Sequence, residues 1–326
     1  MKVTKTQILK LIFAALLLSS CKAIGQEEVR ELDLELVTDK VELFGEGLVS
    51  THLYERDIAI SADGNEIIYT LGDYKQQRRA LMQIRKLNGK WGEPVILNIS
   101  GEHQDIEPFF SEDGNRLFFA SNRPMEKGSK RKDYNIWYSD KDGEYWSPPK
   151  ALNRKINSTG DEFYPSVSRN GNLYFTASRK GGIGTEDIFV SKKINGKYQE
   201  PVALDSSINT QVYEFNSYIN PEENLLIFSS FGREDEYGGG DLYYSKKDKD
   251  GKWSKAKNMG KNINSAQLDY CPFIDLWRNN LYFTSERLDE SPRKMNSIED
   301  IKAFANQTQN GTGNIYKIGI NKLDLN

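Results

Sequence analysis

The sequence predicts an all-β protein, a five-bladed β-propeller of four-stranded antiparallel blades. Short apolar or alternating runs recur along the chain, and residues 161–210 contain four of them: YPSVS, NLYFTAS, DIFVSKK and YQEPVAL. Asn170-Gly171 and Asn195-Gly196 separate these runs, and Asn-Gly between such runs predicts a tight hairpin turn. The unit recurs about every 50 residues, and four strands per repeat are typical of propeller blades.

The repeats predict five blades, at about residues 55–100, 105–158, 161–210, 214–265 and 269–320. The fifth unit ends one strand short. FGEGLVS at 44–50 aligns with MGKNINS at 259–265, so residues 39–46 are predicted to supply the outer strand of the last blade. Pairing the two chain ends leaves no open seam between the first and last blades. Six blades are the alternative, but they would need about 50 more residues.

Two of the units resemble a known repeat. PFFSEDGNRLFFASNR with YNIWYS, and YPSVSRNGNLYFTASR with EDIFVS, are similar to the WD40-like (PD40-type) β-propeller repeats of the TolB-like family. The resemblance covers about residues 40–320 and implies the propeller fold. It leaves function open, because such repeats occur in scaffolds, in binding modules and in some enzymes.

The N-terminus has the pattern of a targeting segment. A basic start precedes the apolar run Leu11–Leu18, which is too short to span a bilayer, so residues 1–20 are predicted to be a signal peptide. Leu18-Ser19-Ser20-Cys21 resembles the lipobox of bacterial lipoproteins and implies a lipid anchor at Cys21. An ordinary secretory signal is the alternative.

The remaining domain boundaries follow from this assignment. Residues 21–38 are predicted to be the lipidated cysteine and a tether, and residues 39–326 the propeller. Lys22 follows the cysteine where an aspartate would resemble an inner-membrane retention signal. We therefore expect an outer-membrane lipoprotein that faces the periplasm or the cell surface.

Composition and motifs argue against several functions. The net charge of −3 disfavours nucleic acid as a partner, since nucleic-acid binding needs a basic face. Two cysteines make neither a disulfide framework nor a metal cluster. Without metal-ligand spacings or a G-x-S-x-G motif, no metal, cofactor or catalytic residue is assigned.

The wiring of a four-stranded blade predicts two different faces. Tight DGN, NGN and NGK turns lie on one face, called the tight-turn face here. The connections between second and third strands, and the links between blades, lie on the opposite, long-loop face. Its longest connections are 122–133, 179–186, 231–240 and 286–313. Because binding residues gather on variable loops of a rigid scaffold, the long-loop face is the predicted working face.

Repeated charged residues are the candidate binding residues of that face. A carboxylate precedes each innermost strand, and this carboxylate ring comprises Glu55, Asp105, Glu162, Glu214 and Asp269. Arginines recur after the second strand at Arg123, Arg179, Arg233 and Arg287. The favoured interpretation is structural, with each carboxylate accepting hydrogen bonds from backbone N–H groups or from an arginine of a neighbouring blade. Binding of a cation or a basic partner is the alternative.

Two non-repeated segments add to that face. Lys130, Arg131 and Lys132 form a basic loop that could contact an anionic glycan or an acidic protein. Ser297 and Asp300 predict a capped short helix over about 297–305. Its apolar side is expected to pack on the propeller, and a partner groove is the alternative.

The predicted function is a lipid-anchored, non-catalytic binding or scaffold module for an envelope protein or peptide. The alternative is a carbohydrate-binding or glycoside-hydrolase-like propeller that uses carboxylates at its central depression, since such hydrolysis needs a carboxylate pair. Arginine-paired carboxylates and an open apolar patch near 297–305 would favour the first. Pocket-lining aromatic residues and an unpaired carboxylate couple would favour the second.

Overall fold

Five antiparallel sheets, one for each sequence repeat, form a five-bladed β-propeller in the computed structural model of this protein. The structure describes residues 32–126, 128–291, 293–323 and 325. The predicted signal peptide, the lipidation at Cys21 and most of the predicted tether therefore lie outside the described residues.

The strands follow one another in blade order. Before the blades comes β1 (Glu42–Leu43). Blade 1 contains β2 (Tyr54–Ile60), β3 (Glu66–Gly72), β4 (Arg79–Leu87), β5 (Lys90–Trp91) and β6 (Val95–Ile96). Blade 2 contains β7 (Asp105–Phe110), β8 (Arg116–Ser121), β9 (Asn135–Asp142), β10 (Tyr145–Trp146) and β11 (Lys150–Ala151). Blade 3 contains β12 (Glu162–Val167), β13 (Leu173–Ala177), β14 (Asp187–Ser191), the hairpin β15 (Lys193–Ile194) and β16 (Lys197–Tyr198), and β17 (Val202–Ala203).

The last two blades are simpler. Blade 4 contains β18 (Tyr213–Ile219), β19 (Leu225–Phe231), β20 (Asp241–Lys246) and β21 (Lys257–Asn258). Blade 5 contains β22 (Asp269–Asp275), β23 (Asn280–Ser285) and β24 (Asn314–Gly319), with helix α1 (Ile298–Ala305) between β23 and β24. A short 3₁₀ turn, Ile320–Lys322, follows β24. Across the described ranges, no helix is long and apolar enough to cross a membrane.

The ring closes through its two ends, as predicted. Strand β1 pairs antiparallel with β24, with Leu43 opposite Tyr316, so the N-terminal segment is the outer strand of the last blade. The Phe44 N–H extends the pairing by donating to the Ile315 carbonyl at 2.8 Å. The Phe44 ring is buried and meets Tyr282 edge-on, with ring centroids 5.0 Å apart.

Proline interrupts the outer strands of blades 1 and 2. In blade 1, Pro94 separates β5 from β6, and both pieces pair with β4. Pro148 and Pro149 separate β10 from β11 in the same way. Proline has no N–H to donate to a ladder, so it is tolerated at a sheet edge and breaks the pairing there.

Apolar side chains of adjacent sheets form the core between blades. Ala59, Ile68 and Leu81 of blade 1 belong to one buried cluster with Leu117 and Phe119 of blade 2. Because every blade packs between two others, the side chains at the propeller axis are held by all five sheets.

Replacement of Phe44 by Ala tests the closure. Removing a buried phenylalanine costs about 3–5 kcal/mol, because apolar area is lost and a cavity remains. We expect that loss in the free energy of unfolding, measured by urea denaturation. The matched control is Leu36→Ala, since the Leu36 side chain is 50% exposed and should matter by no more than about 0.5 kcal/mol. Equal stability of the two variants would contradict closure by this strand.

Candidate functional site

The carboxylate ring is buried at the entrance to each inner strand. All five of its residues are 0% exposed. Each carboxylate accepts a hydrogen bond from a Ser or Thr hydroxyl in the preceding inter-blade link: Thr51 to Glu55 at 2.5 Å, Ser100 to Asp105 at 2.9 Å, Ser158 to Glu162, Thr210 to Glu214 at 2.7 Å, and Ser265 to Asp269 at 2.7 Å. The ring therefore ties each link to the blade that follows it.

Arginines complete this arrangement in four blades. Arg123 lies 2.5 Å from Asp105, Arg233 lies 2.8 Å from Glu214, and Arg287 lies 2.8 Å from Asp269, each measured from a guanidinium nitrogen. Arg179 forms a longer ion pair with Glu162, at 4.0 Å, without a hydrogen bond. The same side chains also donate to carbonyls of the preceding link, such as Arg123 to Ile99 at 3.0 Å. These charges are therefore used inside the scaffold.

Each arginine pairs within its own blade, and the expectation of a partner in a neighbouring blade is wrong. The reason is the antiparallel pairing of the first two strands. In blade 2, Asp105 at the start of the first strand pairs with Ser121 at the end of the second strand. A residue that follows the second strand therefore lies close to the start of the first strand. Arg123 is two residues beyond Ser121 and lies directly over the carboxylate.

Glu55 is held differently. Its carboxylate accepts from Asn314 Nδ2 at 2.9 Å and from the Thr51 N–H at 2.9 Å, and it has no ion pair with any described residue. Burial raises the pKa of Glu55 to about 7, and burial likewise raises the pKa of Glu162 to about 7. Glu162 has only a distant arginine, and Glu55 has no ion pair with a described residue. The loss of hydration on burial therefore dominates the pKa of both carboxyls.

A second ring of five residues lies two positions further along each inner strand. These axis residues are Asp57, Glu107, Tyr164, Asn216 and Cys271. All have left-handed backbones, with φ of 60°, 61°, 49°, 48° and 55° in that order, and each sits at a break in the register of its strand pair. Positive φ is uncommon for residues other than glycine and is held here by the surrounding structure.

The axis residues contact one another across the propeller. Asn216 Nδ2 in blade 4 lies 3.4 Å from Glu107 Oε1 in blade 2, and the Tyr164 hydroxyl donates to the Pro272 carbonyl at 3.0 Å. Side chains of non-adjacent blades can meet only at the axis. All five are at most 7% exposed, so they close the centre of the ring.

Arg56 bridges the two acidic axis residues. Its guanidinium lies 2.7 Å from Asp57 and 3.0 Å from Glu107. Burial and the charge of Asp57 raise the pKa of Glu107, and Arg56 offsets only part of this. Burial and Asp57 also raise the pKa of the Cys271 thiol, which keeps it in the poorly nucleophilic thiol form.

Glu107 also has a structural partner. The N–H groups of Asp57, Glu107 and Asn216 donate to threonine hydroxyls in the second strands of the preceding blades: Thr284 at 3.3 Å, Thr70 at 3.1 Å and Thr176 at 3.0 Å. Blade 2 has Ala120 at that position. There the Tyr164 N–H donates to Glu107 Oε2 at 2.7 Å, so the carboxylate replaces the missing hydroxyl.

A funnel opens from the axis to the long-loop face. Its volume is about 320 Å³. Aromatic side chains from all five blades line it, namely Tyr54, Tyr134, Phe163, Phe215 and Tyr270. Two carboxylates stand in its wall besides the axis residue Glu107: Glu286 accepts a hydrogen bond from the Tyr54 hydroxyl, while the Glu186 carboxylate has no hydrogen bond or ion pair to another described residue. Burial raises the pKa of both.

A wider groove lies beside the funnel, between blades 1 and 2. It has a volume of about 630 Å³ and is called the basic groove here. Its basic wall consists of Arg78, Arg79, Lys130, Arg131 and Lys132, so it contains the predicted basic loop. Arg79 lines both the groove and the funnel, so the two cavities are neighbours.

Helix α1 has the predicted cap but not the predicted packing. The Ser297 hydroxyl accepts from the Asp300 N–H, and the Asp300 carboxylate accepts from the Ser297 N–H, which is a capping box. Its apolar side was expected to pack on the propeller, and that expectation is wrong: Ile298 is 61% and Ile301 57% exposed. The helix has no buried residue, and the insertion is bonded to the propeller by residues that follow the helix, with Thr308 donating to Glu46 and Asn310 donating to the His52 carbonyl.

No protein-family model matches the sequence, and no curated protein matches it. Solved structures do match. A BT0996 complex with RGII has a TM-score of 0.52 at 8% identity, covering 88% of this protein and 95% of the matched one. An endo-arabinase from Bacteroides thetaiotaomicron VPI-5482 has a TM-score of 0.49 at 15% identity, covering 87% and 97%. A putative TolB from Agrobacterium tumefaciens has a TM-score of 0.47 at 15% identity, covering 74% of each protein.

The first of these matches supports the fold alone. The matches include a putative TolB, as the sequence resemblance led us to expect, and also an endo-arabinase. At such low identities neither activity transfers to this chain, and whether the chain is an enzyme stays open. Among the described residues, no group of three or more His, Cys, Asp or Glu side chains is arranged to hold a metal ion.

Sequence reasoning missed the axis residues and the funnel carboxylates. The axis residues differ in type from blade to blade, and only their constant spacing after the carboxylate ring could have revealed them. Glu186 and Glu286 are each adjacent to a repeated position, which hid them among residues interpreted as structural.

Replacement of Glu55 by Gln tests the burial of the ring. A folded-state pKa of about 7, against an ordinary 4.5, means that the folded protein holds this proton more tightly than the unfolded chain. The contribution of the protonated Glu55 carboxyl to the free energy of unfolding is therefore complete below pH 4.5. It is lost as pH rises towards 7, by at most about 1.4 kcal/mol per pH unit. Glutamine does not titrate; its one carbonyl oxygen can still accept from the Thr51 N–H and Asn314 Nδ2, and its NH2 group can donate to the Thr51 hydroxyl.

The free energy of unfolding of the two proteins should be compared by chemical denaturation between about pH 5 and 8. We expect a shallower decline for Glu55→Gln than for the natural chain. Glu290→Gln, an exposed replacement, is the matched control and should follow the natural chain. Parallel curves for all three proteins would rule out a strongly raised pKa at Glu55.

Proposed function

We propose that this chain is a lipid-anchored, non-catalytic binding module of the cell envelope that engages another envelope protein or peptide through its long-loop face. The observation that carries the proposal is the contrast between the two sets of charges. The carboxylate ring is buried and hydrogen-bonded, whereas Arg78, Lys130 and Lys132 of the basic groove are exposed to solvent on the long-loop face.

The axis argues for binding rather than catalysis. Asp57 and Glu107 are almost fully buried and share one guanidinium, so neither is free to act as a nucleophile or a general base. Glu107 also replaces a structural hydroxyl at Ala120. These groups are used to hold the blades together.

The exposed side of helix α1 adds an apolar element to the same face. Ile298 and Ile301 are both more than half exposed, and exposed apolar groups on a charged face are typical of protein-binding surfaces. The envelope location comes from the sequence: the lipobox-like Leu18–Cys21 would anchor the chain in the outer membrane, with the propeller facing the periplasm or the surface.

A carbohydrate-binding or carbohydrate-hydrolysing propeller is the second candidate. The aromatic lining of the funnel and the unpaired Glu186 favour it. If it is correct, oligosaccharides should be bound or cleaved by the natural chain, and Glu186→Gln should abolish cleavage while the fold is retained. Absence of both binding and cleavage would remove this candidate.

Affinity capture tests the proposal. Full-length protein purified in mild detergent is incubated with envelope components, and retained proteins are identified by mass spectrometry. One variant carries Lys130→Glu and Lys132→Glu, and a second carries Ile298→Ser and Ile301→Ser. We expect a protein retained by the natural chain and lost, by about tenfold or more, from at least one of these variants.

The matched control carries Lys249→Glu and Lys252→Glu, two exposed lysines of the tight-turn face. It changes the net charge by the same amount as the first variant and should retain the partner fully. Retention that neither long-loop variant alters would contradict the proposal, as would the absence of any retained protein.

A further inference from the structure

The basic groove is built by three separate segments of the long-loop face. These are the connection at 73–78 in blade 1, the link at 101–104, and the loop at 122–132 in blade 2. The groove therefore depends on the packing of two blades and is a defined concave surface. At about 630 Å³ it is twice as large as the funnel that it adjoins.

Positive charge in the groove is not balanced by its own walls. Among the described lining residues, five cations stand against two carboxylates, Asp73 and Glu102. Asp73 is occupied within its own loop, where it accepts from the Lys75 and Arg78 N–H groups at 2.8 and 2.6 Å. The local excess is notable in a chain whose overall net charge is −3.

Three of the five cations are available to a ligand. Arg131 is paired with Asp133 at 2.8 Å, and Arg79 donates to Gln104 at 3.0 Å. The side chains of Arg78, Lys130 and Lys132 are exposed and have no hydrogen bond or ion pair to any other described residue. Such cations would steer and hold an anionic partner.

The floor of the groove is apolar but not aromatic. Leu53, Leu71, Ala80, Ile96 and Pro124 contribute to it, and Ile96 is 56% exposed. No Phe, Tyr or Trp is among the described residues of the lining. Sugar rings are usually held by stacking on aromatic faces, whereas aliphatic floors with charged rims suit the side chains of a peptide.

We infer that the basic groove between blades 1 and 2 binds an acidic peptide segment that inserts aliphatic side chains between its carboxylates. This inference rests on the proposed function and names the chemistry of the partner. The carboxylates of the segment face Arg78, Lys130 and Lys132, while its aliphatic side chains cover Ile96 and its neighbours.

Fluorescence anisotropy on the full-length protein in detergent tests the inference. The probe is a labelled synthetic peptide that alternates Glu and Leu residues, and the matched peptide alternates Gln and Leu. We expect the Glu–Leu peptide to bind, and Lys130→Glu with Lys132→Glu to weaken its affinity by about tenfold or more. The tight-turn control, Lys249→Glu with Lys252→Glu, should stay within about twofold of the natural chain.

Several results would overturn the inference. They are no binding of the Glu–Leu peptide, equal binding of the Gln–Leu peptide, or no effect of the groove substitutions. Binding of oligogalacturonate in place of the peptide would assign the groove to an anionic glycan. Ile96→Ser provides a second variant that keeps every charge. It should also weaken binding of the Glu–Leu peptide, since the apolar floor contributes to binding.

Failure of the inference is distinguishable from failure of the proposed function. A captured envelope protein that is lost only from the Ile298→Ser and Ile301→Ser variant would leave the binding module intact and remove the groove as its peptide site. A protein lost from the Lys130→Glu and Lys132→Glu variant, together with peptide binding, supports both.

Discussion

A buried carboxylate at the start of each inner strand is the constraint on which the ring depends. Each one joins the hydroxyl of the preceding link to its own blade, and in four blades an arginine adds a second connection to that link. A buried charge without partners would lower the stability of the fold, so the hydrogen bonds and ion pairs that join the carboxylate, the hydroxyl and the arginine must form together. The repeat of this unit attaches every inter-blade link to the blade that follows it.

The same constraint separates the two roles of charge in the molecule. The carboxylates and arginines of the ring bond to one another and to the inter-blade links, so they have a structural role. Glu107 also has a structural role, because it replaces a hydroxyl that Ala120 lacks. Charges on the long loops have no such task, and Lys130 and Lys132 are free of partners in the described part of the protein. Function is therefore assigned to the residues that depart from the repeat and not to those that follow it.

Much of the fold was predictable because turns, alternation and repeats are local signals. Asn-Gly turns and the match of 44–50 to 259–265 gave the blades and the closure through Leu43 and Phe44. The left-handed axis residues were not predictable, since their backbone is set by a bulge against neighbouring blades and not by glycine. Only part of the groove could be predicted. The sequence indicates the basic loop, but the packing of two blades is what places this loop near Arg78 and Ile96.

Site-specific photo-crosslinking in intact cells tests the central claim most directly. A photoreactive amino acid is placed at Lys130 on the long-loop face or at Lys249 on the tight-turn face of the full-length protein. The account predicts an adduct with another envelope protein from position 130 and none from position 249. Adducts from position 249 alone, or from neither position, would contradict it.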